Sequence, residues 1–456
     1  MNPFRLYFGM STVVNGALEK TAEATFYTSS IVTAFVFGCI PGALIITLGG
    51  DFLGRKRAIF VGAFLFTLGG LLQALVPAGS SIGSRVTFIS AGRFFGGVGI
   101  GMLSGSQLMI TIGIAFASIC NAIIIGAYGN KNENNDAQWR LALAIQAIPG
   151  FILMGMLFFL PESPRWLMSR ERESEALASL AKLRQSDEKA PLVQEEFHDF
   201  KQGIEAEKAV GNASWSELMR PGIRNRLVIG IILQFFQQWT GINAVMYYSS
   251  SLFIAMGIPR ETAITVNVVI QSLVNVFGTL PGMYLIERAG RTKLLKWGGL
   301  GMATCMWLLV LFVNLFQSTV GMPGDKITAD TFVPGSARAF SIIAVLCMYA
   351  YVLCFASTWG PVVWVYQSEI FPLRVRGKGT GLATASNWIN NTILSFSWPY
   401  ISEALGASQY AVFGCTGLAM AAYVQLQVPE TKGFSLEDMD RVFGFNGSNK
   451  AEAIKA

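Results

Sequence analysis

At 456 residues, 52% hydrophobic and only 14% charged, with a mean hydropathy of +0.47, the chain is not a string of soluble domains, which carry roughly 25% charged residues. Its charges cluster and leave apolar stretches of about 20 residues, long enough to cross a hydrocarbon core of about 30 Å, so the class is an all-α polytopic membrane protein. Membrane β-strands alternate over about 10 residues, which these continuous runs do not, and topology rather than nucleic acid accounts for the surplus of six positive charges.

Residues 1–24 read as an extracellular N-terminal segment without a cleavable signal peptide. Apolar runs follow at 25–48, 58–77, 86–104, 107–127, 141–160, 227–256, 264–286, 294–317, 339–366, 379–401 and 408–428, eleven in all. If the loops alternate sides, one side holds 51–57, 161–226, 287–296, 367–378 and the tail from Pro429. That side has 25 of the 34 Lys and Arg residues, the other has 8, and Arg93 lies inside a run. The bias marks the basic side as cytoplasmic.

From Val86 to Asn130 there is a single charge, Arg93. Arg57 and Pro161 must share a side, so two spans are required there, joined at Ser104-Gly105-Ser106. The stretch 161–226 carries 23 charged residues, with Ala176, Leu177, Leu180 and Leu183 at helical spacing, which predicts a cytoplasmic linker of short amphipathic helices. His198, the lone histidine, sits among Glu195, Glu196 and Asp199 and reads as a solvated residue. All six cysteines fall in apolar runs with no paired spacing, which points to neither disulfides nor a metal site. The expected division is an N-terminal half over 25–160, the linker over 161–226, a C-terminal half over 227–428 and a cytoplasmic tail over 429–456.

An internal repeat underlies the two halves. Asp51-Phe-Leu-Gly-Arg-Lys-Arg57 matches Glu287-Arg-Ala-Gly-Arg-Thr-Lys293, and Pro161-Glu-Ser-Pro-Arg165 resembles Pro429-Glu-Thr-Lys-Gly433. Two spans precede the Glu287 turn but only one precedes Asp51. The second half also carries Glu369-Ile-Phe-Pro-Leu-Arg-Val-Arg-Gly377, where the first has only Ser104-Gly105-Ser106.

These motifs, together with Gly92-Arg-Phe-Phe-Gly-Gly-Val-Gly99, Gln237-Gln-Trp-Thr-Gly-Ile-Asn243 followed by Tyr247 and Tyr248, and Trp359-Gly-Pro-Val-Val-Trp364, occur in the order of a known family. The chain resembles the sugar porter branch of the major facilitator superfamily, especially fungal hexose transporters. The resemblance implies a major facilitator fold of twelve spans in two pseudo-symmetric halves, alternating access to one central site, and no enzyme activity. Against that pattern the first span and one cytoplasmic loop have no counterpart, leaving eleven spans.

A neutral, hydroxyl-rich monosaccharide needs uncharged donors and acceptors with an aromatic face. Polar residues recur on single helix faces at Gln234, Gln237, Gln238 and Gly241, at Gln271 and Asn275, and at Asn387 and Asn391; the alternative for such residues is interhelical hydrogen bonding. By resemblance, Gln107, Gln237, Gln238, Asn243, Asn275, Trp364 and Asn391 are expected to bind sugar, with Tyr247 and Tyr248 as outer gate. Gly241 is expected to let its helix unwind. Gly92, Gly96, Gly97 and Gly101 lie within a span and read as close helix packing, not a dinucleotide loop.

Arg93, near mid-membrane, costs about 2.5 to 3.5 kcal/mol on insertion scales and needs a partner or a wet cavity. Asp51, Arg55, Arg93, Glu162, Arg165, Glu287, Arg291, Glu369 and Arg376 are expected, by resemblance, to form the charges that govern conformation, with cytoplasmic ion pairs between the halves. The expected function is plasma-membrane transport of a hexose such as glucose by alternating access, either coupled to a proton or facilitative, by a monomer with no cofactor and no nucleic-acid partner. Quinate or inositol as substrate, a sugar sensor on the same fold, and a non-functional truncated product are the competing readings.

Overall fold

A computed structural model describes residues 2–14, 17–103, 107–128, 136–210, 214–321, 333–434 and 439–443. The chain opens with helix α1 (Asn2–Tyr7) and an antiparallel hairpin of β1 (Ser11–Val14) and β2 (Ala17–Lys20), in which Ser11 faces Lys20. The first half follows as α2 (Ala24–Leu53), α3 (Arg55–Ala74), α4 (Ile82–Leu103), α5 (Gln107–Tyr128) and a fifth span divided into α6 (Asp136–Ile145) and α7 (Ala147–Phe159). Linker helices α8 (Pro164–Ser169), α9 (Glu173–Arg184) and α10 (Pro191–Val210) precede a 3-10 turn at Trp215–Met219.

The second half runs through α11 (Ile223–Trp239), α12 (Ile242–Tyr247) and α13 (Ser249–Ala255), then α14 (Arg260–Thr262), a π turn at Ala263–Asn267 and α15 (Val268–Ala289). It continues with α16 (Arg291–Val320), α17 (Gly335–Ser357), α18 (Trp359–Ile370), α19 (Leu373–Leu405) and α20 (Tyr410–Gln427), and α21 (Met439–Val442) closes the described chain. The eleven apolar runs thus fall on helices. Among the described residues, eight helical stretches are long and apolar enough to cross a bilayer; α11 and α19, which carry most of the amide side chains described below, are not among them.

Glycine lets the first-half helices approach backbone to backbone. A Cβ on Gly97 or Gly101 of α4 would collide with the carbonyls of Phe35 and Cys39 on α2, and one on Gly69 of α3 would collide with Gly92 and Gly96. At the end away from the linker, Tyr7 and Phe8 bury against Trp139, Val86 and Ile89. Tyr7 donates to the Pro77 carbonyl at 2.9 Å and accepts from Arg140 Nη2 at 3.2 Å, while Arg85 lies over its ring.

The linker departs from expectation in two ways. Leu183 is 52% exposed, and Ala181 takes its place beside Leu180 and Val193 in the small core between α9 and α10. The segment 215–226, assigned from sequence to the linker, instead packs with the second half. Leu218 joins that half's core, Glu217 accepts from Arg374 at 3.0 Å, and α11 already begins at Ile223. Helices α8 and α9 are fastened to the first half: Ser179 donates to the Glu162 carbonyl, and Trp166 lies where a Cβ on Gly54 would go. His198 is exposed and shares a hydrogen bond with Gln202.

Between the halves, α2 packs on α19 and α5 on α15. Ser118 and Ser272 share a hydrogen bond of 2.8 Å across the α5–α15 contact, and Thr47 fills the space beside Gly381.

Candidate functional site

The span 223–255 is broken where the sequence places glycine. Gly241 has φ +89, a left-handed value that a residue with a Cβ adopts only under strain, and the ring of Phe413 occupies the position such a Cβ would take. The helix therefore ends at Trp239 and restarts at Ile242. Tyr351 Oη donates to the Thr240 carbonyl at 2.7 Å and Thr416 Oγ1 to that of Trp239 at 2.8 Å, so the carbonyls released by the break are satisfied. A second break separates α17 from α18 at Thr358, just before Gly360-Pro361, where proline offers no N–H to continue the ladder.

The two breaks and α19 converge on one buried amide cluster. Gln237 Nε2 donates to the carbonyls of Trp359 and Gly360, both at 3.3 Å. Asn387 Nδ2 donates to Gln234 Oε1 (2.6 Å) and Gln237 Oε1 (2.5 Å), and Asn387 Oδ1 accepts from Gln238 (2.8 Å). Gln238 Oε1 accepts from Asn243 Nδ2 at 2.5 Å, and Gln234 Nε2 donates to Gln367 Oε1 at 2.7 Å. Gln234, Gln237, Gln238, Asn387 and Gln367 are all buried. Trp364 is half-buried one turn before Gln367 on α18.

Helix α15 carries a buried polar face that is not self-paired. Asn275 Oδ1 and Gln271 Oε1, both buried on α15, have no donor among the described residues, and Gln271 Nε2 reaches only the thioether of Met246. A buried acceptor without a donor costs about 1 to 3 kcal/mol, which a ligand hydroxyl would recover. Asn391 is buried and accepts from Ser395 Oγ at 3.1 Å, with the hydroxyl of Tyr247 beside it. Tyr248 Oη donates to the Ser395 carbonyl at 3.1 Å, which joins α12 to α19 at the end away from the linker.

Arg93 of α4 faces these two tyrosines across the interface between the halves. Its guanidinium lies 5.9 Å from the Phe35 ring and its Nε is buried without an acceptor. Gln107 begins α5, and its side chain, like that of Asp51 and the turn 104–106, lies outside the described residues.

The charged residues behave differently in the two halves. In the second, Arg291 grips Glu369 in a two-pronged pair (3.1 and 2.6 Å), and Thr431 Oγ1 donates to the same carboxylate at 2.8 Å. Glu430 accepts backbone N–H bonds from Arg291 and Thr292 at the start of α16. In the first, Glu162 accepts from the backbone N–H groups of Lys56 and Ser163, but exposed Arg55 has no hydrogen bond or ion pair among the described residues. Glu287 is likewise exposed and unpaired among them. The Arg291–Glu369 pair lies wholly within the second half. Arg376 donates to the carbonyl of Phe371, the C-cap residue of α18; burial and then the nearby charge of Arg165 hold its pKa below the ordinary arginine value.

Sequence reasoning missed Gln367, Ser118 and Ser272, single polar residues in apolar helices whose only signal is their polarity. It also missed Lys20, Thr25 and Glu403, which meet only in the folded chain. Gln234, Gln271 and Asn387 were visible as members of polar stripes.

The family model described as Sugar (and other) transporter matches residues 6–106 and 102–443. The low-affinity glucose transporter HXT1 of Saccharomyces cerevisiae is 33% identical over 444 residues, 91% of this chain and 73% of that protein. The galactose transporter of the same yeast is 33% identical over 455 residues, 93% of this chain and 74% of that protein. Among solved structures, the proton:xylose symporter XylE bound to 6-bromo-6-deoxy-D-glucose superposes with a TM-score of 0.74 at 27% identity, covering 97% of this chain and 93% of that one. XylE from E. coli in a partially occluded inward-open conformation also gives 0.74, at 25% identity, covering 95% and 94%. With its broken helices, paired halves and buried uncharged polar cluster, this chain belongs to the sugar transporter family, as a multi-pass membrane transporter of the major facilitator fold and not an enzyme.

Proposed function

We propose that the chain binds a hexose at the amide cluster and carries it across the plasma membrane as a monomer, by rocking its two halves about that site. The observation that carries this reading is the pair of unpaired buried acceptors, Asn275 Oδ1 and Gln271 Oε1, together with the mutually paired Gln234, Gln237, Gln238 and Asn387. Sugar hydroxyls are donors to the first two and substitutes for amide partners in the second set, whereas a charged substrate would need a counter-ion. Trp364, Tyr247 and Tyr248 supply ring faces and a lid. Relatives described as glucose and galactose transporters support the hexose assignment.

The test is binding of glucose, galactose, xylose, inositol and quinate to the purified chain, followed by labelled uptake in cells lacking hexose carriers. Saturable hexose binding that Gln237→Ala abolishes is expected. A wild-type chain that binds none of the sugars overturns the proposal, as does preference for quinate. Uptake with and without an imposed pH gradient separates proton-coupled from facilitated transport.

A further inference from the structure

A cleft of about 790 Å³ opens at the linker end of the first half, between the start of α3, the end of α7 and the helices α8 and α9. One wall is apolar: Phe60, Val61, Leu157 and Phe158. That wall continues onto the outer surface, where Phe158 is 74%, Phe159 80% and Leu160 50% exposed, on a helix that must face lipid.

The cleft is also lined by charged residues, and most of their charges are already answered. Arg172 pairs with Glu175 at 2.7 and 2.5 Å, Glu162 accepts two backbone N–H groups, and Lys56 Nζ donates to the Leu160 carbonyl at 2.7 Å. Two cations are left over. Arg57 and Lys182 line the cleft, are exposed, and have no hydrogen bond or ion pair among the described residues. They approach from opposite sides, Arg57 from α3 and Lys182 from α9. The cleft therefore presents surplus positive charge beside hydrocarbon, at the level where the apolar spans end.

From this arrangement we infer that the cleft is a binding site for an anionic phospholipid of the bilayer leaflet on the linker side. Its phosphate lies between Arg57 and Lys182, and an acyl chain follows Phe60 and Phe158 outward. A soluble anion would satisfy the cations but leave the phenylalanine wall in water; a neutral lipid would do the reverse. The volume lies within the ordinary range for small-molecule sites, about 300 to 1,000 Å³. A lipid held there fastens α9 to α3, and so the linker to the first half. The inference is independent of which sugar the chain carries.

The test uses the whole chain in nanodiscs and native mass spectrometry, counting retained phosphatidylglycerol against phosphatidylcholine. Wild type is expected to prefer phosphatidylglycerol about tenfold, from two cations near the surface. The double variant Arg57→Glu, Lys182→Glu is expected to lose that preference, while Lys293→Glu on the second half keeps it. If the reversal variant does not fold, Arg57→Gln with Lys182→Gln serves in its place. Brominated phosphatidylglycerol is also expected to quench wild type more than a Trp166→Phe variant. Equal retention of both lipids by wild type, or an unchanged preference in the variants, overturns the inference. Displacement by water-soluble glycerol phosphate at lipid-like concentrations overturns it too, because the site would then be one for soluble anions.

Discussion

Glu403, near the end of α19, accepts a hydrogen bond of 2.6 Å from the hydroxyl of Thr25 at the start of α2, and the same carboxylate is paired with Lys20 of the hairpin. One side chain thereby ties the second half to the first at the end away from the linker. Burial pushes the Glu403 carboxyl up, but the hydrogen bonds from Lys20 and Thr25 and the charge of Lys20 outweigh it, so it titrates below the usual carboxylate range.

A depressed carboxylate contributes its stabilisation in full above the ordinary pKa, about 4.3 for Glu, and loses it as pH falls through the folded value. Acidification below that point is expected to open this end of the protein. Spin labels at Phe26→Cys and Leu405→Cys, in a chain with its native cysteines replaced, should move apart at low pH. Glu403→Gln should be wider at every pH. A distance distribution indifferent to both changes would sink the latch.

Asn275→Val separates binding from stability. Removing a buried acceptor that lacks a donor should leave the thermal midpoint of the sugar-free protein unchanged or higher, while hexose affinity falls about tenfold or more. Calorimetry and differential scanning fluorimetry on the same sample read both effects. A lower midpoint with unchanged affinity would make Asn275 a packing residue.

Asn387 is expected to behave in the opposite way. It holds Gln234, Gln237 and Gln238 at once, so Asn387→Leu strands three buried amide groups and should cost about 2 to 4 kcal/mol. Unfolding monitored by fluorescence would register this as a fall in midpoint even without sugar.

Gly241→Ala should be among the most damaging single changes in the second half. The left-handed backbone alone costs about 1 to 3 kcal/mol, and Phe413 cannot easily yield because it stacks on Trp398 at 4.3 Å. Poor recovery of folded protein is expected, and a fully stable variant would show that the break does not depend on glycine.

The charge clusters should prove unequal. Glu369→Gln disrupts the bonds from Arg291 and Thr431 and is expected to cost about 1 to 2 kcal/mol, reduced by partial exposure. Arg55→Gln, which removes an unpaired exposed cation, should stay within about 0.5 kcal/mol of wild type. Chemical denaturation of the two variants side by side decides the point.

The spans were readable because a bilayer imposes a length: some 20 apolar residues leave little choice but a helix. The break at Gly241 was expected only from the resemblance, because glycine in a span fits close helix packing equally well. Gln238 and Asn387 were each visible as stripe members, but their pairing was not, since it depends on how α11 leans on α19. Leu183 illustrates the same limit: helical spacing marked it as an apolar-face residue, whereas in the fold Ala181 packs with Leu180 and Val193 and Leu183 is exposed. Arg291 and Glu369 were found by motif, yet no motif says on which side of the interface between the halves a pair will close. Glu403 carried no local signal at all, because Lys20 and Thr25 are more than 370 positions away.

Trp166 of α8 packs beside Gly54, and Ser179 of α9 holds the Glu162 segment that also accepts from Lys56, so these helices belong with the first half, whereas Trp215–Met219 belongs with the second. If the halves rock as proposed, the linker helices ride with the first. A fluorophore or antibody fragment mounted on α9 or α10 would report the motion of the first half as faithfully as a probe inside the membrane, and from an aqueous surface.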